Sequence, residues 1–170
     1  VRRAGKRSAE EIRIGILTIS DGVSAGREDG SGDRIEYLAR AAGWSVSVRE
    51  VVPDDQVRIA ATLMSWCDED RCDLLLTTGG TGLTERDVTP EATLTVIQRE
   101  VPGLTEALRS TGRLHTPYAV LSRGVAGTRG RTLIVNLPGS PSAAGEGVDL
   151  LSDLVGHAIE LMRGTDTRHD

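Results

Sequence analysis

Apolar positions along the chain follow two rhythms. Ile12–Ile19 (IRIGILTI) and Thr132–Leu137 (TLIVNL) are nearly continuous apolar or β-branched runs, and Leu74–Thr78 (LLLTT) is a shorter one. That pattern fits strands covered on both faces of a sheet. Ser45–Val52 places Val46, Val48 and Val51-Val52 in another strand. Between these runs the apolar residues recur at helical spacing. Ile35, Leu38, Ala39 and Ala42 mark a helix over Arg34–Ala42 that Gly43 stops, and Ile59, Ala60, Leu63, Met64 and Cys67 mark a second. Ala92–Val101 predicts a helix ended by Pro102-Gly103, and Leu104–Leu114 a shorter one. Ala143–Met162 predicts one long helix with Val148, Leu151, Val155, Ile159 and Met162 toward the sheet. Ser20–Ser31 is rich in Ser, Gly and Asp and reads as loop; Pro117–Leu121 fits no single element. The glycine-studded stretch Ser122–Arg131 leaves room for one antiparallel strand. The alternation predicts a single doubly wound α/β domain over residues 12–164, with a mostly parallel sheet and helices on both faces. A disordered tail is expected over residues 1–11, basic then acidic, and a short tail over residues 165–170.

Composition removes several functional classes. Tyr37, Trp44, Trp66 and Tyr118 are the only aromatics, so the core is aliphatic and stacking platforms for single-stranded nucleic acid are missing. A net charge of −5 also argues against a general nucleic-acid binder. No apolar run reaches membrane-spanning length, and a cytoplasmic protein is expected. Cys67 and Cys72 form no C-x-x-C unit and have no histidine cluster nearby, which predicts free thiols rather than a zinc site. His115, His157 and His169 stand singly and support no Ser-His-Asp arrangement.

The candidate chemistry gathers at strand ends. After Leu74–Thr78 come Gly79-Gly80-Thr81-Gly82, then Asp87, then a helix start with Thr89 as N-cap, Pro90 at its first position and Glu91 in its first turn. Glycines at a strand end let bare backbone amides approach an anion, so Thr78 to Gly82 reads as a phosphate turn. The plain alternative is a tight connection with no ligand. Lys6 is the only lysine, which excludes a P-loop, and no G-x-G-x-x-G follows the first strand. Phosphate must then be held by amides, hydroxyls, a metal or arginine, with Arg86, Arg123 and Arg129 as candidates. Ser20-Asp21, Pro53-Asp54 and Pro138-Gly139-Ser140 end three other strands, and in a parallel sheet all four turns share one edge. Taken alone, Asp54 reads first as the N-cap of the following helix, and Asp55 beside it leaves open which carboxylate faces the edge. Two carboxylates, Asp54 and Asp87, beside a phosphate turn imply Mg²⁺ between them and the phosphates.

The segments SDGVSAG, VVPDD, TTGGTGLTERDVTPEA, LSRGVAG and NLPGSP resemble the molybdopterin adenylyltransferases of molybdenum cofactor biosynthesis, including gephyrin-type G domains. The resemblance runs from about Ile12 to Gly164. It implies a homotrimer that transfers adenylate from ATP to molybdopterin and releases pyrophosphate, working beside other enzymes of that pathway. It implies Asp54 and Asp87 as the essential acids and Gly79, Gly80, Thr81 and Gly82 as the phosphate turn. Asn136, Pro138, Gly139 and Ser140 match a second binding turn, Ser122 a serine on the pterin side, and Ser20 and Asp21 the first-strand turn. A binding or scaffold protein that holds molybdopterin without adenylylating it is the competing reading.

Overall fold

A computed structural model describes residues 11–164 of the chain. The expected tails, Glu11 apart, lie outside the described residues. Six strands form one sheet: β1 (Arg13–Ile19), β2 (Ser45–Val52), β3 (Leu74–Thr78), β4 (Arg99–Glu100), β5 (Ala126–Arg129) and β6 (Thr132–Leu137), in the order β2-β1-β3-β6-β5-β4. β1 pairs in parallel with β2 and β3, and β3 with β6. β5 alone runs against the rest, antiparallel to both β6 and β4. The doubly wound sheet with one reversed strand is thus the arrangement the alternation predicts.

Strand alternation sorts the core into two layers. Ile14, Ile16, Leu74, Leu76, Leu133 and Val135 face α2 (Gly30–Ala41), α6 (Pro141–Ser152) and α7 (Val155–Arg163). Leu17, Ile19, Leu75 and Ile134 face α3 (Gln56–Asp68) and α4 (Thr89–Val96). Gly15 belongs to the second face, where a Cβ would stand 3.0 Å from both the Trp66 ring and the Cys72 sulfur. The missing side chain is what lets the largest core residue pack directly against β1. Each fully buried aliphatic contributes about 1.5–3 kcal/mol before the entropy cost of ordering it. Both cysteines are buried free thiols, and burial pushes their pKa up, Cys67 to about 11 and Cys72 to about 12.

Five elements differ from the sequence reading. The Ser20–Ser31 loop holds a short helix, α1 (Asp21–Ser24), and α2 begins inside it at Gly30 because Asp29 caps the Gly32 amide. The helix expected over Ala92–Val101 ends at Val96; Arg99–Glu100 is extended instead, since pairing with β5 completes the sheet edge. α5 (Pro102–Gly112) therefore starts at Pro102 rather than after it. The long helix breaks at Asp153-Leu154 into α6 and α7. Pro117–Leu121 is a single stretch of 3-10 helix. No helix among the described residues is long and apolar enough to cross a membrane.

Candidate active site

In an open parallel sheet, ligands settle outside the carboxyl ends of strands where the winding reverses. Here the reversal lies between β1, which leads to its neighbour β2, and β3, which lies on the opposite side of β1. Their following turns, Ser20-Asp21 and Gly79-Gly80, flank that point. The β6 turn joins them: a Cβ on Gly139 would lie 3.2 Å from the Gly79 Cα. Gly79 (φ +98°) must be glycine, since a Cβ there would sit 2.3 Å from the Ile19 carbonyl oxygen. Thr78 fixes the third side, its hydroxyl donating to the Pro138 carbonyl at 2.7 Å. Three strand ends are thus pinched together by backbone contacts that only small residues permit.

Two cavities open on either side of the Pro138–Pro141 turn. The polar one, about 590 Å³, is lined by Thr18, Ser20, Arg27, Gly30, Ser31, Asp54, Thr78, Gly79, Gly80, Asp87 and Gly139. The other, about 410 Å³, lies between α5, the 3-10 helix and α6, with Leu108, Arg109, Tyr118, Ser122, Asn136, Pro138, Ser140 and Glu146 on its walls. The sequence candidates therefore divide. Ser20, Asp54, Thr78, Gly79, Gly80, Asp87 and Gly139 share the polar cavity. Ser122, Asn136, Pro138 and Ser140 share its neighbour. Asp21, Thr81 and Gly82 line neither; Thr81 is buried.

Asp54 and Asp55 have separate tasks. Asp55 is the N-cap of α3 and accepts from the Arg58 amide at 2.8 Å, so the capping role considered for Asp54 belongs to its neighbour. Asp54 Oδ2 accepts from the Asp21 amide at 2.9 Å while Asp21 Oδ1 accepts from the Asp54 amide at 3.0 Å. This reciprocal pair ties the β1 turn to the β2 turn. Burial pushes the Asp54 carboxyl above its usual range, and the charges of Asp21 and Asp87 push it the same way; the Asp21 amide opposes them. Asp87 Oδ2 accepts from both the amide and the hydroxyl of Thr84, at 2.9 and 2.7 Å. In each acid these contacts engage Oδ2, and Oδ1 accepts no hydrogen bond among the described residues.

That donor set fits Mg²⁺. The ion takes one or two carboxylates and completes its shell with water and substrate phosphate. Among the described residues no group of three or more His, Cys, Asp or Glu is placed to hold a metal, so the remaining oxygens would come from substrate and water.

Thr89 does not cap α4 as the sequence suggests. It is the first helical residue, its hydroxyl donates to the Gly79 carbonyl at 2.9 Å, and Pro90 follows it. The glycine turn is therefore bolted to the start of α4. The arginines are also redistributed. Arg129 pairs with Asp68, far along the sheet edge, and Arg86 binds Asp21 at 2.8–3.0 Å. Arg123 donates to the carbonyls of Gly82 and Asp87, both at 2.7 Å, and pairs with Glu91, so it clamps the loop between the turn and α4. The guanidinium that lines the polar cavity is instead Arg27, which passes over Gly22, where a Cβ would meet its Nη2 at 2.3 Å. The sequence reading missed it because it lay in an assumed loop; the Asp29-Gly-Ser-Gly helix start was the available signal. Asn136 is likewise a connector. Its amide donates to Thr77 and Thr93 and its oxygen accepts from the Val125 amide, fixing the second turn from beneath.

A family model described as a probable molybdopterin binding domain matches residues 15–157. A molybdopterin adenylyltransferase of Helicobacter pylori J99 is 40% identical over 91% of this chain and 90% of its own. The molybdopterin adenylyltransferase of Escherichia coli K12 is 40% identical over 87% of this chain and 77% of its own. Among solved structures, the molybdopterin biosynthesis enzyme MoaB of Thermus thermophilus superposes with a TM-score of 0.84 at 47% identity, over 90% of this chain and 97% of that one.

Proposed function

The chain belongs to the molybdopterin-binding family of molybdenum cofactor biosynthesis, and from that membership we propose that it adenylylates molybdopterin. A terminal phosphate oxygen of molybdopterin attacks the α-phosphorus of ATP. The bond from that phosphorus to the β-bridging oxygen breaks, and pyrophosphate leaves. The observation that carries this reading is the pair of cavities sharing one turn, Pro138–Ser140. ATP occupies the polar cavity and molybdopterin its neighbour, so the two phosphates meet over Gly139 and Ser140.

The nucleophile is already an anion, so the site needs orientation and charge balance rather than a strong base. Gly79 and Gly80 offer close backbone approach, and the N-terminus of α2 at Gly30-Ser31 adds amides and a favourable dipole. Arg27 supplies positive charge at the cavity wall. Ser140 caps α6 through the Ala143 amide, which orients that helix start toward the shared turn. Thr81 and Gly82 act indirectly, through the carbonyls that Arg123 grips. Asp54 and Asp87 would hold Mg²⁺, which when bound neutralises polyphosphate charge.

A homotrimer in the cytoplasm, handing its product to other enzymes of the pathway, completes the proposal. Exposed Leu114, Tyr118, Val120 and Leu121 around the apolar cavity offer surface for self-association. The test is direct: purified protein, ATP and molybdopterin, with adenylylated molybdopterin and pyrophosphate measured with Mg²⁺ and with excess chelator. Formation of both products only with the metal is expected. Tight molybdopterin binding without either product would identify a binding protein instead.

A further inference from the structure

The wall of the apolar cavity carries a carboxylate that the phosphate chemistry does not use. Glu146, on the second turn of α6, is about three-quarters buried and lies on the cavity wall. Its protein contacts are weak: Ser142 donates to Oε1 at 3.5 Å, and His115 Nδ1 stands 3.7 Å from the same oxygen. No hydrogen bond to Oε2 is formed among the described residues, and Oε2 is open to solvent at the cavity rather than buried. A partly buried carboxylate is costly unless donors reach it, and paired donors satisfy it best. Its place along α6 is also informative. The helix begins at the shared turn, where Ser140 caps it, and Glu146 follows about 8 Å further along the axis at 1.5 Å per residue. A ligand lying along α6 with an anionic phosphate at the shared turn therefore presents its far end to this carboxylate.

We propose that Glu146 recognises the aminopyrimidinone edge of the pterin, accepting from the ring N3–H and the 2-amino group side by side. This rests on the assignment of molybdopterin to the apolar cavity. The edge is a planar pair of parallel N–H donors, the same fork that guanidinium offers a carboxylate. Glu146 is then the residue that sets specificity for a 2-amino pteridine over a 2-oxo one, which keeps the N3–H donor but sets its 2-carbonyl against the other carboxylate oxygen and leaves that oxygen unpaired.

The test uses the full chain and its E146Q variant. Molybdopterin affinity is measured directly, and 6-hydroxymethylpterin is compared with its 2-oxo lumazine counterpart as a competitor. The wild type should bind molybdopterin and prefer the pterin competitor. E146Q should bind molybdopterin roughly tenfold to a hundredfold more weakly, the loss expected for charged hydrogen bonds, and should lose the preference. ATP affinity and melting temperature should stay unchanged, since Glu146 makes only long contacts to Ser142 and His115. E146Q binding molybdopterin within twofold of the wild type, or keeping the preference, overturns the assignment. If neither competitor displaces molybdopterin, the affinity comparison decides alone. A wild type that binds ATP but no molybdopterin would instead overturn the functional reading beneath it.

Discussion

Replacing Gly80 by alanine tests whether the glycine turn is built for close approach or merely connects two elements. Gly80 has φ +65°, and a Cβ there would stand 2.3 Å from the Thr89 hydroxyl and 3.2 Å from Asp54 Oδ1. A left-handed alanine costs about 1–2 kcal/mol. To clear the contact Thr89 must rotate, losing its 2.9 Å bond to the Gly79 carbonyl, worth about 0.5–1.5 kcal/mol. The total is about 2–3 kcal/mol, or a fall of roughly 5–10 °C in melting temperature for a domain of this size. Gly130→Ala is the control, because Gly130 has a similar φ of +55° but nothing within 4 Å of a Cβ. It should cost only the conformational part. A double-mutant cycle with Thr89→Ala separates the two parts: without the Thr89 hydroxyl, Gly80→Ala should cost about 1 kcal/mol less. Adenylyl transfer, assayed well below the melting point, should fall at least about tenfold, since displacing Asp54 or the turn amide by a fraction of an ångström disturbs phosphate placement. Gly80→Ala that melts and turns over like the wild type, with no coupling to Thr89, would refute the reasoning.

Asp87→Asn should reduce adenylyl transfer by about a hundredfold or more if Asp87 holds a metal ion, because the neutral amide is a poor Mg²⁺ partner. Its oxygen can still accept from the Thr84 amide, so calorimetry should show at most about 1 kcal/mol of lost stability, with molybdopterin binding retained. Early melting with joint loss of binding and transfer would make Asp87 structural. Asp54→Asn should raise the melting temperature at neutral pH in chelator without nucleotide. The folded carboxyl lies above its ordinary pKa, so the folded chain binds more protons than the unfolded chain between the two values. The contribution of Asp54 to stability therefore falls as pH rises through that window and stays lost above it. The gain from asparagine should vanish once pH drops below the ordinary carboxylate range. Melting curves across pH test this, and a variant less stable than the wild type at neutral pH would contradict it.

The strands β1, β2, β3 and β6 and the doubly wound class were legible because covered strands leave dense apolar runs and amphipathic helices leave a clear period. The turns were legible for a related reason. Glycine at positive φ, proline at a helix start and aspartate at a strand end are local requirements that local sequence must meet. The TTGGTG and NLPGS segments therefore marked two tight turns at strand ends, and the fold brings Gly79 and Gly139 of those turns together. Other features depended on residues distant in sequence. Arg99–Glu100 is a strand only because β5 offers it hydrogen bonds, against a helical pattern that continued past it. Which of two adjacent aspartates faces the cavity was settled by Asp21, thirty-three positions away, which pairs with Asp54 and leaves Asp55 to cap α3. The arginines show the same limit. Arg123 and Arg129 carried the same charge as Arg27 in the sequence, yet the fold gave the first two carbonyl and carboxylate partners and put the third on the polar wall. A backbone conformation is chosen by a few neighbouring residues, but the partner of a long charged side chain is chosen by whatever the fold brings within its reach.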